Sequence, residues 1–559
     1  MMKTKVVRGN HRFWIGFAAG LVAGAIATGV MLWLAATFGG ISLPEAVGTE
    51  LTLLMPPSWF EYVHQVIGAE AKHYLFYGIV IGQCLVFALS GALYYQRVMT
   101  YRQRFHWYQG FLLALLLWLL TGVILLPATG AGIFGAQIQT GHGTGMLSLA
   151  VVGLIFGILF VLIQHWLTIH FPGNDVETDR RRELAFQAGA RQITLNEESE
   201  RKVSRRAIVQ GGVVVIGLGI VGVGLWRIII GGIDASRVSV AHVLQHYQSK
   251  IVPPPVPNYG QVPPTSSLSP EITPNSQYYI VSKNLFADPT VDANTWRLTV
   301  DGQVAHPYTL AYQEVLTQPM QQQYESMMCV SNEVGGLYMS NALWEGIPLK
   351  DLLQRAGIKT GATKVVLHAA DNYSDSIHLT KALESTTLLA VYMNGGTLPQ
   401  EHGFPARLLV PGIYGMKHCK WITRIEVVNY DYQGYWQQRG WSDASLVRLT
   451  ARIDTPSNDA TITASRPTYI AGVAFSGNKG ISEVDVSTDS GKTWRRATLK
   501  HPLSNLTWVL WEMTWQPPRG KSVVTVRAID LEGNVQSPII EPPLPNGSSG
   551  YHSITVNSV

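Results

Sequence analysis

The sequence predicts a multidomain chain: an all-α transmembrane bundle of five spans, then an α+β domain, then an all-β sandwich. Three observations carry this reading. Hydrophobic residues make up 47% of the 559 and charged residues only 14%, a balance that points to membrane spans. The long apolar runs are confined to the first 230 residues. Beyond about residue 273 the pattern changes to alternating strands with short helices, and from about Ser445 onward to strands alone. The implied boundaries are 1–232 for the spans, 233–274 for a tether, 275–444 for the α+β domain and 445–559 for the sandwich.

Five stretches are long enough to cross a bilayer: roughly Phe13–Phe38, Tyr74–Tyr95, Phe111–Ala128, Gly145–Ile169 and Ala207–Ile230. Flanking charge orients them. Lys3, Lys5, Arg8 and Arg12 precede the first span, Arg97, Arg102 and Arg104 follow the second, and a cluster from Arg180 to Arg206 follows the fourth. The alternate loops hold acidic residues or no Lys/Arg at all. The positive-inside rule then places the N-terminus in the cytoplasm and, after five spans, everything beyond Ile230 outside it. An uncleaved N-terminal signal peptide is the rival reading of the first span, and the long apolar run without an A-x-A-like exit disfavours it.

The fifth span begins Ser204-Arg205-Arg206-Ala207-Ile208-Val209-Gln210. This is similar to a twin-arginine export signal; ordinary topology-setting arginines are the alternative. His64, His73, His106, His142, His165 and His170 lie in the membrane segment. Two on facing helices could hold a b-type haem, but polar residues near span ends ordinarily need no ligand to explain them. C-x-x-C-H, the covalent haem motif, is absent from the sequence.

The tether contains Ile251-Val252-Pro253-Pro254-Pro255-Val256-Pro257 and Pro263-Pro264, a composition that stays extended. In the α+β region, Trp296–Gly302 and Lys364–His368 alternate as strands, and Leu349–Ala356 is an amphipathic helix closed by Gly357. In the last region strands are expected at Ile470–Ser476, Ile481–Ser487, Trp508–Trp515 and Ser522–Ile529.

Three cysteines do not make a disulfide framework, and no Lys/Arg run is interleaved with aromatics, which argues against nucleic acid as a partner. The chemistry concentrates in two stretches. MMCVSNEVGG, Met327 to Gly336, holds Cys329 beside small and polar residues, where a thiolate can meet a soft metal or simply be buried. LPQEHGFPARLLVPGIYGMKHCKWITRIE, Leu398 to Glu426, sets His402, Arg407, Lys417, His418 and Lys420 among Gly and Pro turns, an arrangement suited to an anionic phosphate.

Together these stretches resemble the sulfite oxidase superfamily of molybdenum–molybdopterin enzymes. Cys329 matches the metal-ligating cysteine, His402-Gly403, Pro405 and Arg407 match HG-x-P-x-R, Pro411-Gly412 and Gly415 match PG-x-x-G, and Lys420-Trp421 matches K-W. The likeness covers roughly Thr273 to Val559. It implies that Cys329 ligates molybdenum and that Tyr279, Asn284, His402, Arg407, His418, Cys419 and Lys420 bind the cofactor. It places Asp371 and Tyr373 near the open face of the metal, although Asp371 reads equally as a turn residue, and it adds Tyr414 as a further candidate. The strand-only region resembles the family's immunoglobulin-like dimerisation domain, which implies a homodimer.

The resemblance implies an oxidoreductase that moves oxygen to or from a small substrate and exchanges electrons with a quinone or cytochrome, anchored in the lipid bilayer. It departs from the family in one place. Where sulfite oxidases commonly carry arginine after the cysteine, this chain has Glu333 and Val334. A small dianion such as sulfite is therefore a poorer expected substrate than a neutral S- or N-oxide, as in the superfamily's periplasmic methionine-sulfoxide reductases. The alternatives are a sulfite dehydrogenase, or a membrane-tethered binding protein that kept the fold and lost the cofactor.

Overall fold

The computed structural model describes residues 3–38, 40–55, 59, 62–63, 71–101, 106–136, 142–171, 268–284 and 288–559. They fall into two compact units, one of helices from the first part of the chain and one running through Asp288–Val559. The predicted fifth span, the arginine pair before it, His64 and most of the tether lie outside the described residues.

In the helical unit, α1 (Lys3–Phe38), α2 (Leu43–Leu54), α3 (Ala71–Tyr101), α4 (Trp107–Ala128) and α5 (His142–His170) follow one another. Four of these, all but α2, are long and apolar enough to cross a membrane. Small residues let α1 and α3 touch backbone to backbone. A Cβ on Gly16 would lie 2.6 Å from the Gly91 carbonyl oxygen, so any other residue there forces the helices apart. Ala19, Ala23 and Ala27 continue the same buried stripe. The buried Gln164 side chain donates to Tyr95 on α3 and to Thr168 on its own helix, which satisfies it without water. Leu85, Leu89, Leu93, Leu112, Leu115 and Leu119 are exposed, as expected of faces turned to lipid. His106 and His165 are exposed, and His170 Nδ1 bonds within its own helix to the Trp166 carbonyl.

The second unit contains the expected mixture of helix and strand, tilted strongly toward strand. Its first sheet has the order β2 (Tyr308–Ala311), β1 (Arg297–Gly302), β10 (Ile422–Val428), β5 (Lys364–Ala369), β6 (Ser374–His378), with β1 and β10 parallel. Its second has the order β3 (Gln321–Met328), β4 (Met339–Pro348), β7 (Leu388–Met393), β8 (Gly396–Thr397), and β9 (Arg407–Leu409) pairs with β7. One apolar core, with Leu298, Val300, Leu353, Leu367, Val391, Leu408 and Ile425, joins strands of both sheets. The helix Leu349–Ala356 ends where expected, at Gly357 with φ +70°.

The C-terminal part is two facing sheets. One runs β11 (Thr450–Thr455), β13 (Thr468–Phe475), β17 (Val509–Trp515), β16 (Thr498–Leu499); the other runs β12 (Ala460–Ile462), β19 (His552–Ser558), β18 (Gly520–Asp530), β14 (Ile481–Ser487), β15 (Arg495–Arg496). Trp511, Met513, Val484, Val526 and Val556 share the core between them. The first sheet is fastened to the region around Cys329: Met328, Val330 and Tyr414 pack with Val473, Phe475 and Trp508, and the Trp508 N–H donates to Ser326 Oγ at 2.8 Å. Residues 271–273, assigned by sequence to the tether, are pinned to this unit. The buried Asn341 side chain donates to the Glu271 carbonyl, and the Thr273 N–H donates to the Asn341 carbonyl.

Candidate functional site

Cys329 follows directly on β3, in a turn that leads to β4. Its Sγ lies 3.0 Å from Ser331 Oγ and is buried. Burial pushes the thiol up from its ordinary value, while hydrogen bonds from Ser331 and Val330 pull the other way. A bound metal is the partner that would turn such a thiol into thiolate. Among the described residues no group of three or more His, Cys, Asp or Glu side chains is placed to hold a metal, so a metal here would arrive with most of its ligands already attached.

Arg407, on β9, is the centre of the polar side. Its Nη1 donates to the His402 carbonyl (3.0 Å) and its Nη2 to the His418 carbonyl (3.3 Å) and Met327 Sδ (3.2 Å), so the guanidinium ties both motif loops to the end of β3. It also lies over the Trp344 ring. Two glycines make this approach possible. A Cβ on Gly403, at φ +115°, would press on Lys420 and Arg407, and one on Gly415 would sit 2.7 Å from the Tyr279 hydroxyl. The Tyr279 N–H is held by Ser340 Oγ, and its hydroxyl is pushed up by burial first and by neighbouring Cys329 second.

The histidines of the loop are neutral. His402 Nε2 bonds the Asn275 carbonyl and burial lowers it to about 4. His418 Nε2 bonds the Ile413 carbonyl and burial lowers it to about 3. Glu325 is raised by burial to about 8. Its 3.8 Å approach to His418 Nδ1 is therefore a contact of two neutral groups, not an ion pair. Arg407 keeps its charge, and among the described residues no carboxylate forms a salt bridge with it.

Three buried polar atoms here lack a hydrogen-bond partner among the described residues: Arg407 Nε, Tyr278 Oη and Glu325 Oε1. Orphaned buried polar atoms are costly and rare, and two donors, Arg407 Nε and Tyr278 Oη, with a carboxyl oxygen beside them fit a polar anionic ligand such as a pterin carrying a phosphate. Lys420 Nζ bonds the Glu401 carbonyl, approaches Asp288 at 3.9 Å and lies over the Trp421 ring. Asn284 is buried. Cys419 is buried. Its thiol packs in the apolar core of the first sheet, close enough to Arg407, Lys420 and Asp371 to feel their charges.

On the other side, Asp371 Oδ1 accepts from the Tyr373 N–H and its Oδ2 lies 3.6 Å from Lys283 Nζ, the geometry of a turn residue with a cation partner. The Tyr373 hydroxyl donates to the Met416 carbonyl (2.7 Å) and lies 3.1 Å from Asp375 Oδ2. Asp375 is fully buried and meets Lys417 at 2.9 Å, and Lys417 reaches Asp443 at 2.9 Å. Tyr414 Oη accepts from the Arg448 N–H, which gives it a structural task between loop and sandwich. Glu333 is exposed and Val334 half-buried.

Sequence reasoning missed Asp375 and Arg439. Arg439 is buried, lies 3.5 Å from the Tyr435 ring centroid, and that ring is 5.7 Å from the Tyr373 ring. The signal for Asp375 was present in its two-residue spacing from Tyr373, which immediately precedes β6, but nothing local announced Lys417 as its partner.

Comparison with known proteins matches residues 286–436 to the oxidoreductase molybdopterin binding domain and residues 445–542 to the Mo-co oxidoreductase dimerisation domain. Sulfite oxidase of Gallus gallus is 30% identical over 333 residues, covering 51% of this chain and 72% of that protein. Mitochondrial sulfite oxidase of Rattus norvegicus is 29% identical over 334 residues, 51% of this chain and 61% of its own. The chain thus spans about three fifths of the length of the rat protein. The crystal structure of the sulfane dehydrogenase SoxCD from Paracoccus pantotrophus overlays 56% of this chain and 90% of its own at 22% identity and a TM-score of 0.47.

Proposed function

This chain belongs to the sulfite oxidase family of molybdopterin-dependent oxidoreductases, and from that premise we propose that it is a membrane-anchored enzyme whose catalytic unit works outside the cytoplasm, transferring oxygen to or from a small substrate. The observation that carries the proposal is the incomplete polar cradle around Arg407, close to the buried Cys329. A bound molybdenum–molybdopterin supplies two-electron oxo transfer there. Cys329 would offer a soft ligand, Arg407 with Lys420 would hold the phosphate, and neutral His402 with Tyr279 and Asn284 would line the pterin. Tyr373 faces the substrate, with Asp371 fixing its turn. Electrons pass to or from a respiratory carrier such as a quinone or cytochrome. The four apolar helices support the anchor, the loop charges support the outer location, and the matched dimerisation domain supports a homodimer.

The exposed Glu333 and the uncharged Val334 mean that the cysteine turn supplies no cation of its own at these positions, which favours a neutral S-oxide over sulfite. Sulfite dehydrogenation is the second reading. The buried Arg439 near Tyr373 and the names of the relatives favour it.

Full-length protein from a molybdopterin-competent host should contain about one molybdenum per chain. Cys329→Ser should abolish turnover. Steady-state kinetics with sulfite and methionine sulfoxide, using artificial electron carriers, should favour the sulfoxide. A metal-free wild type, or an active Cys329→Ser variant, would overturn the enzyme reading; efficient sulfite oxidation would select the second reading.

A further inference from the structure

Ser331 Oγ lies 3.0 Å from the buried sulfur of Cys329. A thiol and a hydroxyl can share such a contact either way round. Binding a metal removes the choice. A ligating sulfur is a thiolate without a proton, so the contact then survives only with the serine hydroxyl donating. Among the described residues that hydroxyl has no other hydrogen-bond partner, so nothing competes for its proton. The N–H groups of Val330 and Ser331 bear on the same sulfur and act in the same sense.

The serine is also held in place. It is buried, and its turn is tied both to itself and to the sandwich. The Cys329 N–H donates to the Tyr338 carbonyl at 2.9 Å, and the Asn332 N–H donates to the Cys329 carbonyl at 3.1 Å. Asn332 Oδ1 accepts from the Tyr338 N–H at 2.8 Å. From the sandwich, Ser548 Oγ donates to the Asn332 carbonyl at 2.7 Å and Arg452 Nη1 to the Gly336 carbonyl at 2.6 Å. A Cβ on Gly335 would lie 2.3 Å from the His552 ring, so the sandwich leaves the turn no room to swing. The distance between hydroxyl and sulfur is therefore set by packing before any metal arrives, the arrangement by which outer groups tune a metal ligand.

We propose that Ser331 is a positioning residue that donates its hydroxyl proton to the Cys329 thiolate on the metal and so raises the metal's reduction potential. This deepens, and rests on, the reading above that Cys329 ligates molybdenum. A hydrogen bond to a ligating sulfur draws electron density from it, weakens its donation to the metal and stabilises the reduced state. No bond at Ser331 is made or broken, and the hydroxyl keeps its proton through turnover. The effect falls on electron entry: a metal at higher potential is reduced more readily by a mild donor such as a quinol.

The test is a redox titration of molybdenum-loaded, full-length protein, with the one-electron-reduced metal followed by electron paramagnetic resonance. Ser331→Ala should keep its molybdenum and shift the one-electron reduction equilibrium about tenfold toward the oxidised metal, a fall of ~59 mV in midpoint potential. Its sulfur-to-metal charge-transfer absorption should move to longer wavelength, because the sulfur loses a donor. Ser331→Thr, which keeps the hydroxyl, should restore both. If Ser331→Ala does not fold, Ser331→Gly gives the same reading, since it removes the hydroxyl and adds no atom. Wild type without molybdenum, read by metal analysis, sinks the functional reading and the tuning with it. Loaded wild type whose Ser331→Ala or Ser331→Gly variant keeps the wild-type potential and absorption overturns the tuning alone. So does loss of metal from both variants but not from Ser331→Thr, since the hydroxyl would then hold the metal site together rather than tune it.

Discussion

Arg407 and Lys417 are both cations buried among loops of one motif region, and the chain treats them in opposite ways. Arg407 spends its Nη atoms on backbone carbonyls and a thioether and leaves Nε without a partner among the described residues. Lys417 uses all three donors, on Asp375, Asp443 and the Ser376 carbonyl. Glu325, the carboxyl group that acts on Arg407, is raised by burial to about 8, whereas the acids around Lys417 bond it directly. An unfinished cation is a binding site waiting for an anion. A finished one is a structural charge that sets the behaviour of its neighbours.

The sharpest way to break that comparison is to remove each cation. Arg407→Met should fold and lose cofactor. A buried charge-assisted contact is worth ~2–5 kcal/mol, so molybdenum content should drop by well over tenfold while the melting temperature of cofactor-free protein changes little. Lys417→Met should do the reverse. It strands Asp375 and Asp443 without a counter-ion, a loss of roughly 3–5 kcal/mol in stability, with retention of cofactor in the fraction that folds. Metal analysis and thermal melts of both variants decide. Equal destabilisation would mean that Arg407 is as structural as Lys417.

A smaller effect tests whether the cysteine turn lacks a cation. Val334→Arg should raise kcat/KM for sulfite about tenfold, the effect of roughly 1.4 kcal/mol. Exposed Glu333 is too well solvated to cancel the new charge. No gain would mean that Arg439 already supplies what the anion needs.

Much of this molecule was legible because local pattern decided it. Apolar length gave the four described spans, and the helix Leu349–Ala356 was bounded by its own Gly357. The cofactor loop was legible from the crowding of Gly403, Arg407, Gly415 and Lys420 into one short stretch, which only close backbone approach explains. What was not legible depends on long-range pairing. Asp375 and Lys417 are 42 residues apart and meet only because β6 and the loop before β10 are neighbours. Cys419 was legible as a member of the polar run, but not that its thiol would also pack into the apolar core beside Arg407. The strength of the strand bias was hidden too, because the short helices are as amphipathic in sequence as longer ones would be.

The smallest expected effect is a pH slope on the Arg407 side. Glu325 ionises in the unfolded chain near 4.5 but stays protonated in the folded one to about 8. The folded state therefore binds the extra proton across that window, and stability falls as pH rises through it. His402 and His418 act in the opposite sense at lower pH. They are held neutral, to about 4 and about 3, while the unfolded chain protonates near 6.5, so stability falls as pH drops below that value. Glu271, raised to about 7, adds to the Glu325 slope only below that point. Between pH 7 and 8 Glu325 acts without the histidines or Glu271, at roughly 1.4 kcal/mol per pH unit if fully expressed. Cofactor-free wild type should therefore melt about 2 °C lower at pH 8 than at pH 7, and Glu325→Gln should flatten that difference. A slope that survives Glu325→Gln would place the ionisation elsewhere. It would also mean that Glu325 is already charged beside Arg407, leaving the two cations more alike than their hydrogen bonds imply.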